Sequence, residues 1–227
     1  MKGKKILLTL GLMCLLAPLA TASSVPAPFS CEELLKELTE NFPRKPEQPA
    51  KDRPTSWLFT ETYTPFQDQR RRSLKSIKKR FESEFGAYRA SFIKGHKHSG
   101  LDLRGEQNET VYPIGKGWVC DIHLSFPHLT LVILHQGSDG KIFYSSYKHI
   151  EDILVRPGAR VDETTPLARL FDARELKKSG FGVNHLHFEI RKSFEDGGKA
   201  SWMSMTKEVL LHFFLDPYTF FKARLNP

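Results

Sequence analysis

From His185 to Ile190 the chain alternates strictly: Leu186, Phe188 and Ile190 are apolar, and His185, His187 and Glu189 stand between them. A period of two is that of a β-strand with one face in a core. Both histidines therefore share the opposite face. Trp118–Ile122, Leu129–Leu134 and Lys141–Tyr147 repeat this texture and read as strands. Gly137-Ser-Asp-Gly140 joins the last two as a hairpin turn. Val155–Val161 reads as a strand with a tight turn. Short strands in series predict a mainly β chain built on an antiparallel sheet.

Helical signals flank this region. Ser30-Cys-Glu-Glu33 resembles a capping box, and Leu34, Leu35, Leu38 and Phe42 follow at helical spacing, which predicts a helix over 31–41. Pro43, Pro46, Pro49 and Pro54 then read as an extended linker. A second helix is predicted over 67–85, with Leu74, Ile77, Phe81 and Phe85 on one face. Its other face carries Arg70, Arg71, Arg72, Lys75, Lys78, Lys79 and Arg80. That cluster reads as a solvated face or as an attraction to an anionic envelope surface; nucleic acid is not expected. A last helix is predicted over 204–214.

The first 22 residues read as an address label. Lys2, Lys4 and Lys5 precede an apolar run, and Ala20-Thr21-Ala22 fits a small-residue cleavage site. Cleavage would leave no transmembrane segment and an exported chain, in a periplasm or outside the cell. It would also lower the formal net charge from +8 to +5 and the cysteines from three to two. Cys31 and Cys120 would then be either a disulfide tying the N-terminal segment to the later domain or two buried thiols. With 40% hydrophobic and 26% charged residues, the 227-residue chain has an ordinary globular mix, which excludes a disordered or collagen-like polymer. The expected organisation is a signal peptide at 1–22, a helical, proline-linked segment at 23–90, and one β-rich domain at 91–227.

The chemistry-bearing residues lie in that last domain. His98-Ser-Gly-Leu-Asp102 puts an imidazole and a carboxylate four apart in an extended, glycine-containing segment, so both return to one face. His185-Leu-His187 does so for two imidazoles, and His149 ends a predicted strand. A catalytic zinc site takes three such nitrogen or oxygen ligands and keeps one position open. This set supplies three ligands with two histidines to spare.

In this combination and order the sequence resembles the M23 (lysostaphin/LytM-like) zinc metallopeptidases. The resemblance rests on Gly95-His-Lys-His-Ser-Gly-Leu-Asp102, Val111-Tyr-Pro-Ile-Gly-Lys-Gly-Trp-Val119, Tyr147-Lys-His149, Val155-Arg-Pro-Gly-Ala-Arg-Val161 and His185-Leu-His-Phe-Glu189, with Asp216-Pro-Tyr-Thr-Phe-Phe221 as a closing segment. It implies a LytM-like β-sandwich. It further implies that His98, Asp102 and His187 bind one Zn²⁺ per chain and that His149 and His185 are the catalytic histidines. The implied activity is zinc-dependent endopeptidase action on peptidoglycan stem peptides or cross-bridges. The alternatives are a non-catalytic wall-binding or amidase-activating module, and a zinc protease of exported proteins. Implied partners are peptidoglycan and, for residues 23–90, a regulatory protein or an anionic envelope surface.

His96 also stands near Asp102, but the matched spacing selects His98. His123, His128, His135 and His212 fall in no pattern and read as surface or core histidines. Glu189 is open to a supporting role behind a ligand or a structural one. Two departures from the family pattern stand out. Phe171–Asn184 replaces the usual small-residue stretch, and the segment between Glu189 and Asp216 is long.

Overall fold

The computed structural model describes residues 29–40, 57–89, 95–193 and 206–227. The leader reading at 1–22 and the proline linker at 43–54 lie outside the described residues. In chain order the elements are α1 (Cys31–Glu40), α2 (Leu74–Arg80), β1 (Phe81–Ser83), β2 (Leu101–Arg104), β3 (Thr110–Val111), β4 (Gly117–His123), β5 (Thr130–Gln136), β6 (Ile142–Lys148), β7 (Ile150–Glu151), β8 (Arg160–Val161), β9 (Ala168–Leu170), α3 (Ala173–Ser179), β10 (His185–Arg191), α4 (Lys207–Phe213), β11 (Phe214–Leu215) and α5 (Pro217–Arg224). Among them no helix is long and apolar enough to cross a membrane.

The fold is mainly antiparallel β. One sheet runs β1-β2-β10-β6-β5-β4-β8, with β11 also on β10, and a three-stranded sheet runs β3-β9-β7. β10 sits centrally: β6 pairs along one edge, while β2 and then β11 share the other. The alternation read at 185–190 holds. Leu186, Phe188 and Ile190 are fully buried in the main core, beside Leu101, Leu103, Leu131, Ile133 and Tyr147.

The opposite sheet face is divided in two. Registers His187↔Lys148, Glu189↔Ser146 and Arg191↔Tyr144 place those side chains on that face, and Val132 joins it opposite Ser146. At one end lie His185, His187 and Asp102. At the other end Leu34, Leu35 and Leu38 of α1 cover Trp118, Val132, Leu134 and Tyr144. Helix α1 starts as expected, with the Glu33 amide donating to Ser30 Oγ. Cys31 and Cys120 form a disulfide, Cα–Cα 5.1 Å, which ties α1 to β4.

The second predicted helix is much shorter than 67–85. Ser73 caps it, accepting from the Lys75 amide, and it ends at Arg80. Phe81 takes φ −59°, ψ 125° and begins β1, which pairs with β2. Strand pairing at the sheet edge thus overrides the helical spacing of Phe81 and Phe85, and Phe81 is left partly exposed. The predicted strand at 155–161 is likewise reduced to Arg160–Val161; the amides of Gly158 and Val119 pair with Val119 and Ala159 carbonyls across a loop instead. Helix α3, which the sequence reading did not assign, forms because Asp172 and Glu175 make a capping box and Gly180 at φ 76° closes the C-terminus.

The basic cluster is not one solvated face. Arg71 donates to the carbonyls of Thr64 and Glu163. Arg80 pairs with Asp68 and Glu109, each at 2.7 Å, with its guanidinium over the Phe66 ring. Arg70, Lys75, Lys78 and Lys79 are exposed. Phe59, Phe66, Leu74 and Ile77 are buried in the same core as the strands.

His135 is a core histidine. It is fully buried, bonded to the Lys116 carbonyl and to Ser145 Oγ at 2.7 Å each, and stacked on Phe143. Burial pushes its pKa down to about 4 from 6.5. The unfolded chain therefore takes up the proton first, and stability present above pH 6.5 is lost as pH falls toward 4. About 2 kcal/mol of this loss is expected by about pH 5. Urea denaturation at the two pH values should show it, and a His135→Gln variant should have a flatter pH dependence. Equal slopes would refute the assignment.

Candidate metal centre

Sheet register builds the site. β10 and β2 pair with His187 directly opposite Asp102. The segment carrying His98 is held alongside residues 86–89: the Gly86 amide donates to the His98 carbonyl, and the His98 amide to Ala87. The result is a close triangle of donor atoms. His98 Nε2 lies 2.9 Å from His187 Nδ1 and 3.0 Å from Asp102 Oδ1, and His187 Nδ1 lies 3.1 Å from the same oxygen.

Each imidazole of the triangle is oriented from behind. His98 Nδ1–H donates to the Glu84 carbonyl at 2.6 Å. His187 Nε2–H donates to Glu189 Oε1 at 3.0 Å. These bonds leave His98 Nε2 and His187 Nδ1 as lone pairs, both facing a carboxylate oxygen. At this range either a proton shared among the three atoms or a metal cation can stand between them. The donors are of the type zinc takes, and the edges approach the about 3.3 Å of a tetrahedral site with ligands at about 2.0–2.1 Å. Among the described residues, His98, Asp102 and His187 form the group able to hold a metal ion. His96 is not part of it.

The charges follow from this packing. Burial opposes ionisation of Asp102, but hydrogen bonds from His187 and His98 outweigh it and hold the carboxyl well below its usual range. Burial also opposes charge on His187, but its bonds to Asp102 and Glu189 raise its pKa. Burial lowers that of His98. Glu189 is fully buried and still held low: burial opposes, while Lys148, His187 and Arg191 win. Ser99 Oγ donates to the same Glu189 oxygen at 2.7 Å. Of the two roles open to Glu189, the geometry gives it the one behind His187.

The two remaining histidines flank the triangle. His149 follows β6 in a left-handed conformation, φ 64°. Its Nδ1–H donates to the Pro127 carbonyl at 2.8 Å, and that of His185 donates to Val183 at 2.8 Å. Both therefore keep Nε2 as a lone pair; that of His185 lies 4.0 Å from Asp102 Oδ1. The His149 ring is 5.0 Å from His185 and 5.8 Å from His187. Burial, then the neighbouring imidazoles, keep His149 neutral well below its ordinary pKa.

Gly100 explains the glycine between His98 and Asp102. A Cβ there would stand 2.5 Å from the Phe188 carbonyl oxygen and 2.8 Å from His187 Nε2. Gly100→Ala is expected to destabilise by about 1–3 kcal/mol and to displace the His187 ring. Unchanged melting and unchanged bound metal would contradict this.

Three neighbours escaped the sequence reading. The His128 ring lies tilted 5.3 Å from that of His149, just before β5, whose Thr130 pairs with Lys148. Phe181 sits edge-on to His149 at 4.6 Å and 5.3 Å from His185, brought there by the α3 insertion. Arg89 lies beside Asp102, from outside any motif.

Sequence comparison with curated proteins finds no match. Among solved structures, the chain is similar to lysostaphin, an antimicrobial peptidase from Staphylococcus simulans, at 18% identity and TM-score 0.50, over 73% of this chain and 56% of that one. It is also similar to a zinc-containing peptidase from Vibrio cholerae, at 24% identity and TM-score 0.43, over 58% of this chain. The chain spans only 37% of that peptidase's length. The lysostaphin likeness speaks to the fold. Residues 96–201 match the model of peptidase family M23, and they contain all five histidine and aspartate positions of the site. The family whose model this chain matches, over just under half of its length, is thus peptidase family M23.

Proposed function

We propose that this chain is an exported zinc endopeptidase that hydrolyses peptide bonds in peptidoglycan stem peptides or cross-bridges. The carrying observation is the triangle of His98, Asp102 and His187 with two imidazoles beside it, each tied at Nδ1 to a backbone carbonyl. Those three residues would hold the metal. Bound there, zinc supplies Lewis acidity and lowers the pKa of water toward neutrality.

The chain's own groups do the rest. His149 and His185 flank the triangle with Nδ1 tied to backbone carbonyls, so one accepts a proton at Nε2 and the other, in its protonated form, donates from Nε2–H to developing charge on a substrate oxygen. Burial keeps His149 neutral, the form able to accept. Glu189 fixes the orientation of His187. Phe181 covers one side of the two imidazoles and limits water there. The match of residues 96–201 to the model of peptidase family M23 supports peptidase chemistry. The leader-like residues 1–22 support export, as does a disulfide, which persists in oxidising compartments. Exposed Arg70, Lys75, Lys78 and Lys79 suit an anionic envelope surface.

Analysis of muropeptides released from purified wall, with His187→Ala as control, tests the reading. New amine ends produced only by the wild type support it. No wall product but cleavage of a soluble protein would favour a zinc protease of exported proteins. Wall binding without hydrolysis would favour a non-catalytic module.

A further inference from the structure

We propose that Arg89 is a positioning residue of the metal centre, committing Asp102 to act as a one-oxygen donor. The inference rests on the zinc reading of the triangle and is independent of the peptidoglycan substrate. The Asp102 side chain is 5% exposed, and its two oxygens are separately employed. Oδ1 faces His98 Nε2 and His187 Nδ1. Oδ2 turns away and accepts from Arg89 Nη2 at 2.5 Å. The same nitrogen donates to Ser83 Oγ at 3.0 Å, which fixes the guanidinium against β1.

A free carboxylate can offer a cation both oxygens. A charge-assisted hydrogen bond to Oδ2 withholds the second and leaves room at the metal for a reacting group. The backbone makes this a shared construction. The Arg89 amide donates to the His96 carbonyl, Tyr88 bridges Lys97, and the Gly86 and His98 amides pair across the same two segments. Arg89 and the ligand His98 are thus carried on paired chain and keep one relative position. Arg89 lies outside the matched residues 96–201, so the family pattern does not contain it. Lysine would replace it only in part, because its ammonium has donors enough for Ser83 and Asp102 but lacks the planar guanidinium that holds them in one orientation.

Loss of Arg89 has two opposed effects on affinity. It removes a positive charge near the cation, and it frees the carboxylate to turn. Coordination is therefore the discriminating measurement. The full-length chain is loaded with Co²⁺ and its visible absorption recorded without substrate. The wild type is expected to show the intense bands of four-coordinate Co²⁺. Arg89→Met, similar in length but without donors, is expected to weaken them several-fold as the second oxygen enters. Ser83→Ala should shift the spectrum the same way but less, and Arg89→Lys should restore it only in part. Turnover of Arg89→Met should fall about tenfold or more with KM little changed.

A wild-type spectrum in Arg89→Met overturns the inference. Should Arg89→Met fail to fold, Ser83→Ala with an unaltered spectrum overturns it equally. A wild type that takes no Co²⁺ overturns the zinc reading and this inference together. A wild type that binds Co²⁺ as described, shifted in Arg89→Met, yet cuts no wall, refutes the substrate and upholds Arg89.

Discussion

His187→Ala is expected to abolish metal retention and to lower hydrolysis by about 10³-fold or more. The residue supplies one of three donor atoms, and its neighbours cannot replace it. His185 lies on the same face of β10 but keeps Nε2 4.0 Å from Asp102 Oδ1, against 3.1 Å for His187 Nδ1. Glu189 retains Lys148 and Arg191 as partners, so the buried carboxylate is not left uncompensated. The variant should therefore fold, and metal analysis by mass should show well under one zinc per chain. His149→Ala separates the two functions of the site. It should keep the metal and lose about 10²–10⁴-fold in rate, the span of a general acid or base. A His187→Ala protein that holds a full zinc and turns over at the wild-type rate would sink the site assignment.

The second large effect is expected from the disulfide. Cys31 and Cys120 are 89 residues apart in sequence. Closing a loop of that size restrains the unfolded chain by about 4.6 kcal/mol in the chain-entropy account. Cys120→Ser should lower the melting temperature on the order of 10 °C. Helix α1 has ten residues and a single face of Leu34, Leu35 and Leu38 to hold it. Without the covalent tie it should leave the sheet for part of the time and expose Trp118, which is 4% accessible when covered. A red-shifted tryptophan emission in the variant would report this. Melting within about 2 °C of the oxidised wild type would contradict the expectation.

Much of the site was legible because strand periodicity is local. The alternation at 185–190 placed Leu186, Phe188 and Ile190 in the core and both histidines on the other face, and the structure agrees. The spacing of His98 and Asp102 was read as shared facing, and both side chains turn into the triangle. Helix length was less legible. Spacing of Leu74, Ile77, Phe81 and Phe85 extended α2 to 85, but β1 begins at Phe81 because the edge of β2 offers backbone partners there. The seven basic residues over 70–80 read as one exposed face, either solvated or attracted to an anionic surface. Arg71 and Arg80 instead enter the fold, drawn by carbonyls and carboxylates that lie far away in sequence.

The sequence by itself determined the kinds of donor present, their facing along each strand and the antiparallel class, since side-chain identity and a period of two need no long-range information. It left Cys31 and Cys120 open between bond and thiols. Only the tertiary structure chose the bond, by setting α1 on β4. It alone set Asp102 opposite His187, brought His128 and Phe181 to the imidazoles, and turned Oδ2 of Asp102 onto Arg89. These are matters of register and loop path, fixed by the packing of elements distant along the chain.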